Sequence, residues 1–283
     1  MPSLPFIWSP AKTAKSPRIV VTHFSSLSKP TKLRKARAAA AMSTTGTGSA
    51  LPSPPPPVVE GLTSADAWCF DVDSTFCQDE SIDELAAFLG VGEQVAAVTA
   101  RAMGGSMKFQ DALAQRLEVM KPSASDVERY LASHPPLITP GIPELLSLLR
   151  SQNKKVFLVS GGFRQIIHPL AQGLHIPTSH VFANSILFDP HDGSYAGFDP
   201  KEFTSRSGGK AEAVEHIKRE WNLQTVVMVG DGATDAEARR PGGADVFVGY
   251  GGVVYRETVA EKADWYVMDI EDIVKVVRQE RTG

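Results

Sequence analysis

Two acidic motifs lie far apart in the chain, and each directly follows an apolar stretch that is typical of a buried strand. Asp71 and Asp73 belong to the first motif, and Asp231 and Asp235 belong to the second. Ligands of an open parallel sheet bind at the carboxyl ends of its strands, so we expect these carboxylates to meet at one edge. Four carboxylates this close would repel one another without a cation, and Mg2+ is the hard cation suited to oxygen ligands. The two motifs therefore predict a magnesium-assisted phosphoryl-transfer site.

The first motif offers the groups that phosphoester hydrolysis needs. The Asp71 carboxylate can attack phosphorus and form an aspartyl-phosphate, which water then hydrolyses. Asp73 faces the same side of the chain if the extended geometry continues, so it can protonate the leaving oxygen and later deprotonate the water. An isolated Asp-x-Asp pair is common by chance. The strand before it and Ser74-Thr75 after it favour the catalytic interpretation.

Two further segments are suited to an anionic phosphoryl group. Ser160, Gly161 and Gly162 follow the apolar strand 156–159 and are predicted to open a helix, where a hydroxyl and unobstructed backbone N–H groups bind anions. Lys210 follows a flexible Ser-Gly-Gly run and can neutralise both Asp71 and the phosphoryl oxygens. Taken alone, the first segment is equally well an ordinary turn and the lysine a solvated residue at a helix start.

The elements that must position these residues follow from hydrophobic spacing. Apolar residues recur at three- and four-residue intervals from Ser81 to His134, which predicts a small helical bundle with a capping box at Ser125 and Glu128. From Ile138 onward, helices and strands alternate, which specifies a parallel sheet with helical crossovers. Alternating apolar residues in 181–195 predict a short hairpin. The predicted fold class is α/β, a Rossmann-like parallel sheet with an inserted helical-bundle cap.

The chain divides into three parts by this reasoning. Residues 61–78 and 138–283 form the catalytic core, and residues 79–137 form the cap. Residues 1–60 form a transit peptide and a stiff proline-rich linker (52–57), both disordered, so we expect folded structure to begin near Gly61.

Charge and composition exclude several classes of protein. The first 59 residues hold eight Lys or Arg and no acid, and the chain's 29 basic residues thus leave 21 against 32 acids elsewhere, or about −11. That balance argues against a nucleic-acid groove. No apolar run approaches the length of a membrane span. Two cysteines make neither a disulfide framework nor a zinc site, and the seven scattered histidines disfavour a His-metal site and a Ser-His-Asp enzyme.

The order of these motifs strengthens each of them. The chain presents Asp-x-Asp-x-Thr, then Ser-Gly-Gly, then Lys, then Gly-Asp-Gly-x-x-Asp, and over residues 67–235 it resembles the haloacid dehalogenase-like superfamily. The resemblance implies that Asp71 is the nucleophile and Asp73 the general acid and base. It also implies a Mg2+ held by the side chains of Asp71 and Asp231 and the backbone carbonyl of Asp73, with Asp235 in support.

Residues 80–85 follow the first motif, and residues 98–105 with Phe109 and Arg116-Leu117 lie further along. These segments resemble the phosphoserine phosphatases of that superfamily, and the likeness covers roughly residues 62–278. The resemblance implies that Glu80 binds the ammonium group and Arg116 the carboxylate of O-phospho-L-serine, a small-molecule partner. Both groups also have plain interpretations, as a helix-start residue and a solvated helix face. The other residues that the resemblance assigns to substrate binding, besides the Ser160 and Lys210 segments, are Met103, Gly104, Phe109 and Thr234.

Plant members with such leaders act in the plastid, at the last step of the phosphorylated route to serine. The resemblance therefore predicts the chloroplast stroma, with the mitochondrion and the cytoplasm as alternatives, and leaves a homodimer open. A phospho-receiver module is the main rival of another class, but it has neither a cap after its phospho-acceptor nor an Asp two residues beyond it. A phosphotransferase, or a phosphatase for another small ester, is the rival within the enzymes.

Overall fold

The computed structural model describes residues 53–102 and 107–278. The helices, in chain order, are α1 Pro56–Ser64, α2 Ser81–Phe88, α3 Gly92–Arg101, α4 Phe109–Met120, α5 Ala124–Ser133, α6 Ile142–Ser151, α7 Arg164–Gly173, α8 Gly209–Glu220, α9 Ala233–Ala236, α10 Glu257–Ala260 and α11 Ile270–Arg278. The strands are β1 Ala67–Phe70, β2 Lys155–Phe163, β3 Val181–Asn184, β4 Ile186–Phe188, β5 Tyr195–Phe198, β6 Val226–Gly230, β7 Val246–Tyr250 and β8 Trp265–Val267. Residues 1–52 of the predicted leader and linker, and Met103 and Gly104, which were predicted to bind substrate, lie outside the described residues.

Six of the strands form one parallel sheet in the order β3-β2-β1-β6-β7-β8. β1 is central, with Trp68 paired to Val156 of β2 on one side and to Val227 of β6 on the other. The strands that carry the two acidic motifs are therefore direct neighbours, and both end at the same edge. The α/β class with a parallel sheet is confirmed.

Helices cover both faces of this sheet, which explains why β1, β6 and β7 are buried along their whole length. Side chains alternate across each strand: Trp68 and Phe70 of β1 join one core cluster, with α1, α6, α7 and α11. Cys69 faces the other core cluster, which also contains Val214 and Ile217 of α8. Continuous apolar strands are what this two-sided burial requires.

The helical insert has a core of its own between β1 and α6. Leu85, Leu113, Leu117 and Val127 are buried there, and Phe163 at the end of β2 joins them from the sheet. The connections into and out of the insert lie side by side. Cys77 forms an antiparallel bridge with Ile138, and the Thr139 N–H donates to the Phe76 carbonyl at 3.0 Å. An inserted helical bundle after the first strand is thereby confirmed.

The fold begins earlier than expected. Helix α1 starts at Pro56, inside the segment predicted as linker, with Val58 and Leu62 buried against the sheet. Proline is well tolerated in the first turn of a helix, because its missing N–H would have no partner there anyway. The expected start near Gly61 was wrong for this reason.

Three local predictions also need correction. Strand β2 continues through Ser160, Gly161 and Gly162, and helix α7 begins only at Arg164. The capping box of α5 lies two residues earlier than predicted, where Ser123 and Asp126 exchange hydrogen bonds of 3.2 and 2.9 Å. In the predicted hairpin, β3 joins the parallel sheet and the antiparallel partners are β4 and β5. No helix in the described part of the chain is long and apolar enough to cross a membrane.

Candidate active site

The carboxyl ends of β1 and β6 bring the acidic motifs together. Phe70 and Val229 pair across the sheet, and the Asp71 N–H continues the ladder by donating to the Val229 carbonyl at 2.9 Å. As a result, carboxylate oxygens of Asp71, Asp231 and Asp235 lie within 4.8 Å of one another, and all three residues are buried. The predicted convergence at one sheet edge is confirmed for these three.

Lys210 lies between two of these carboxylates. Its ammonium group contacts Asp71 Oδ2 at 2.8 Å and Asp235 Oδ1 at 2.7 Å, and only 11% of its side chain is exposed. Burial lowers the pKa of Lys210, but Asp235 and Asp71 outweigh burial and raise it above its ordinary value. The lysine is therefore a permanent cation beside Asp71.

Asp235 is held on both of its oxygens. Besides Lys210, it accepts a hydrogen bond from the Gly232 N–H at 2.9 Å, and it is completely buried. A side chain at Gly230 would place its Cβ 2.3 Å from Asp235 Cγ, so the glycine is needed for this close approach. This environment fits the supporting role expected for Asp235.

Asp231 has two side-chain partners, Thr75 of the first motif and Arg256, which the sequence did not single out. The Thr75 hydroxyl donates to its Oδ1 at 3.3 Å, and Arg256 pairs with its carboxylate and donates to its carbonyl at 3.1 Å. Arg256 follows β7, the strand beside β6, so the strand-end reasoning that identified Asp231 also applies to this arginine.

The chain turns sharply after Asp71. Asp71 Oδ1 accepts from the Val72 N–H at 2.7 Å, and Ser74 adopts a left-handed conformation with φ of 55°. Asp73 itself has extended backbone angles, φ −68° and ψ 134°, so the left-handed turn comes one residue after it. Asp73 is held by Ser81 of the cap, whose N–H and hydroxyl donate to its two oxygens at 2.9 and 3.1 Å.

The environment of Asp73 is suited to a carboxyl group that exchanges protons near neutrality. Burial raises the pKa of Asp73 to about 7, and the carboxylates of Glu80 and Asp71 contribute to this rise. The two hydrogen bonds from Ser81 oppose it. Burial and like charge thus dominate, as they do at many acid–base sites.

The Ser-Gly-Gly segment lies against the first motif. The buried Ser160 hydroxyl accepts from the Gly162 N–H at 2.9 Å. A Cβ at Gly162 would lie 2.8 Å from Ser81 Oγ and 3.2 Å from Asp73 Oδ2, so no larger residue fits without displacing them. A Cβ at Gly161 would lie 3.3 Å from the Phe109 ring, which shows that the cap approaches the sheet edge here.

Two further predicted residues are Thr234 of α9 and Arg116 of the cap. Thr234, at the second position of α9, lines a small cavity together with Phe109, Gly161 and Lys210. Arg116 of α4 is half-buried, and its Nε donates to the Ala112 carbonyl at 3.3 Å.

Charge links the two cap residues that the resemblance assigned to the substrate. Burial lowers the pKa of Arg116, while Asp83, Glu80 and Asp73 oppose that shift. Burial likewise raises the pKa of Glu80, whose carboxylate accepts from the Ser74 hydroxyl at 2.5 Å. A half-buried cation and a half-buried anion therefore lie within electrostatic range of each other and of Asp73.

The donor set at the sheet edge suits a hard divalent cation. The clustered ligand atoms are all carboxylate oxygens, which Mg2+ and Ca2+ prefer, and no thiol or imidazole belongs to the cluster. Lys210 and Arg256 offset part of the negative charge. Chemically, the arrangement offers a carboxylate beside a fixed cation, a second carboxyl group that titrates near pH 7, and an oxygen site for a metal.

Comparison with known proteins agrees with this chemistry. Residues 65–243, more than half of the chain, match the family model described as haloacid dehalogenase-like hydrolase. The chloroplastic phosphoserine phosphatase of Arabidopsis thaliana is 56% identical over 211 residues, which are 75% of this chain and 71% of the relative. Phosphoserine phosphatase of Mus musculus is 50% identical over 211 residues, or 75% of this chain and 92% of the relative.

Solved structures show the same fold. DsGPDH of Dunaliella salina matches with a TM-score of 0.71 at 35% identity, over 80% of this chain but only 38% of that protein. A phospho-aspartyl intermediate analogue of phosphoserine phosphatase matches with a TM-score of 0.64 at 28% identity, over 75% of this chain and 99% of that one.

Proposed function

We propose that this chain, which belongs to the haloacid dehalogenase-like hydrolases and among them to the phosphoserine phosphatases, hydrolyses O-phospho-L-serine to L-serine and phosphate. The observation that carries the proposal is the buried contact of 2.8 Å between Asp71 and Lys210, with Asp73 beside it at the sheet edge. A carboxylate next to a fixed cation is suited to attack an anionic phosphorus, because the cation offsets the repulsion between the two.

Asp71 acts as the nucleophile in the first step. A carboxylate oxygen of Asp71 attacks phosphorus, the bond from phosphorus to the serine oxygen breaks, and Asp73 gives its proton to that oxygen. The raised pKa of Asp73, about 7, supports this role, because a substantial protonated fraction exists at neutral pH. The products of this step are L-serine and an aspartyl-phosphate at Asp71.

Asp73 reverses its role in the second step. As a carboxylate it takes a proton from a water molecule, whose oxygen attacks the phosphorus of the aspartyl-phosphate. The bond between phosphorus and Asp71 breaks, which restores the Asp71 carboxylate and releases phosphate. Ser160, the backbone N–H of Gly161, Lys210 and Thr234 bind the phosphoryl oxygens in both steps, while the Gly162 N–H holds the Ser160 hydroxyl.

Mg2+ is the cation that the oxygen donors fit, and the side chains of Asp71 and Asp231 and the carbonyl of Asp73 would hold it, while Asp235 holds Lys210. When bound, it would neutralise charge on the phosphoryl group. Asp235 also belongs to the geometric cluster, and its contacts with Lys210 and the Gly232 N–H support a role as a positioning residue.

The cap, residues 79–137, supplies selectivity for the amino acid. O-phospho-L-serine carries an ammonium group and a carboxylate beyond its phosphate, and a carboxylate and a guanidinium fork are the matching groups. Glu80 binds the ammonium and Arg116 the carboxylate, while Phe109 borders the substrate; for Met103 and Gly104 a substrate-binding role stays a prediction from the resemblance. The burial of Glu80 and Arg116 near Asp73 supports this assignment.

The proposal extends to the route and the compartment. The reaction is the last step of the phosphorylated route to serine, in the plastid stroma. The similarity to a chloroplastic relative and the acid-free basic leader support the plastid. A fusion of residues 1–60 to a fluorescent protein tests this, because fluorescence outside plastids would contradict it. The homodimer stays a prediction, which light scattering of the purified chain tests.

The direct test is phosphate release from O-phospho-L-serine and from a panel of sugar and alcohol phosphates, with Mg2+ and with a chelator. We expect selective release from phosphoserine that the chelator abolishes. The Asp71→Asn variant should keep its fold by circular dichroism and lose at least about a thousandfold in kcat. Activity on other esters but not on phosphoserine would contradict the substrate, and residual Asp71→Asn activity would contradict the nucleophile.

A further inference from the structure

Ser74 joins the first acidic motif to the entrance of the cap. The residue is 1% exposed, and its hydroxyl donates to Glu80 Oε1 at 2.5 Å. Its backbone N–H also donates to the Asp79 carbonyl at 3.3 Å. Ser74 is therefore fixed through both its side chain and its backbone to the segment that carries Glu80.

The backbone of Ser74 has an unfavourable conformation for a serine. Its φ of 55° lies in the left-handed region, where a Cβ crowds the following carbonyl and where glycine is the easiest residue to accommodate. Outliers of this kind point to a constraint imposed by the surrounding structure. At Ser74 the side chain that glycine would lack is the donor to Glu80.

Glu80 is surrounded by groups that would otherwise reorient it. Asp71 and Asp83 repel its carboxylate, and Arg256 attracts it. Arg116 also interacts with it electrostatically. If Glu80 paired with Arg116, each would satisfy the charge of the other, and neither would remain available to the ammonium and carboxylate groups of a substrate.

We propose that Ser74 is a positioning residue for substrate selectivity: its hydroxyl holds the Glu80 carboxylate in the orientation that receives an ammonium group, and keeps it from pairing with Arg116. This inference rests on the proposed function, since it needs Glu80 to bind the substrate ammonium. Ser74 belongs to the turn that carries Asp71 and Asp73, yet it acts on substrate selectivity and not on the chemical step.

The test compares two variants on two substrates. O-phospho-L-serine carries the ammonium group, and 3-phosphooxypropionate is the same molecule with hydrogen in its place. We expect Ser74→Ala and Ser74→Gly each to lower kcat/KM for phosphoserine by about tenfold, the scale of one hydrogen bond to a charged group, mainly through KM. The loss on the analogue should be at least fivefold smaller. Glycine relieves the backbone while alanine does not, so equal losses in the two variants identify the hydroxyl as the cause.

A double-mutant cycle with Glu80 completes the test. In a Glu80→Gln background, adding Ser74→Ala should cause less than about a twofold further loss on phosphoserine, because the charge that Ser74 orients is already absent. Additive losses, equal losses on the two substrates, or variants that retain the wild-type preference would each overturn the inference while leaving the proposed function intact. A wild-type protein with no preference for phosphoserine over the analogue would overturn the role of Glu80, and with it this inference.

Discussion

The raised pKa of Asp73 suits it to acid–base catalysis, but it lowers the stability of the folded protein at high pH. Its pKa rises from 3.8 in an unfolded chain to about 7 in the folded protein, so between these values the folded state binds more protons than the unfolded one. Stability in the absence of metal therefore falls as pH rises through this window. We expect Asp73→Asn, which resembles the protonated form, to raise the melting temperature at pH 8 by at least about 2 °C, the shift expected for 1 kcal/mol.

At pH 4 the same substitution should leave the melting temperature almost unchanged, since Asp73 is then largely protonated in the folded wild type and only partly ionised when unfolded. Asp126→Asn on α5 is the control with the opposite sign. Hydrogen bonds from Ser123 lower the pKa of Asp126, so its replacement should destabilise the protein at pH 8 and matter less as pH falls towards 3. Calorimetry in the presence of chelator measures both. A lower melting temperature for Asp73→Asn at pH 8 would contradict the raised pKa.

Arg116 tests the substrate assignment at the same scale. We expect Arg116→Ala to lower kcat/KM for O-phospho-L-serine by about a hundredfold, and far less for a phosphoester without a carboxylate, because only the first substrate loses a charged partner. Arg116→Lys should restore only part of the loss, since an ammonium group cannot form the two parallel bonds of a guanidinium. Arg129→Ala, at an exposed arginine of the same cap, serves as the control. Equal losses on both esters would mean that Arg116 supports the cap structurally.

The residue types that do chemistry were predictable, and their partners were less so. Asp71, Asp231 and Lys210 stand at strand ends or a helix start, where local sequence patterns locate them. Arg256 was missed because no motif surrounds it. Ser81 was missed because its bonds to Asp73 depend on how the cap folds back onto the first motif, which no local pattern encodes.

At the scale of elements, the extension of β2 has a consequence for the site. Gly162 lies in this strand and not at a helix start, and a Cβ there would lie 2.8 Å from Ser81 Oγ and 3.2 Å from Asp73 Oδ2. We expect Gly162→Ala to displace this pair and to lower kcat by at least about tenfold. Gly173→Ala is the matched control, because a Cβ at the end of α7 meets nothing within 4 Å. Equal kcat values for Gly162→Ala and the wild type would show that the site accommodates the methyl group.

The errors in predicted elements share a physical cause. Glycines after an apolar strand are typical of a turn. Gly161 and Gly162 nevertheless remain extended, because strand β2 continues until its backbone lies against Phe109 and Asp73. A proline-rich run is typical of a linker. Pro56 and Pro57 nevertheless begin helix α1, because the apolar side chains beyond them pack against the sheet. In both cases tertiary contacts decided between two locally acceptable conformations.

At the scale of the whole molecule, the net charge of the chain beyond its leader has the same sign as that of the expected substrate. The chain beyond its basic leader carries a net charge of about −11, counted from 21 basic and 32 acidic residues. A phosphate ester is itself anionic, so the field of the protein as a whole does not attract it. We expect Lys210 at the sheet edge and the half-buried Arg116 of the cap to provide the attraction locally.

The stability of the whole domain depends on a helix whose first five residues, 56–60, were predicted to lie outside it. Leu62 of α1 is fully buried in the larger core cluster, on a helix that precedes the first strand. We expect Leu62→Ala to lower the free energy of unfolding by about 2–5 kcal/mol, the range for a buried leucine, and the melting temperature by at least about 4 °C. KM and kcat measured well below the transition should not change, because α1 contributes no residue to the site. Leu137→Ala removes the same atoms from a side chain that is 44% exposed, so it should shift the melting temperature far less. Equal shifts for the two variants, by calorimetry at one pH, would contradict the inclusion of α1 in the folded core.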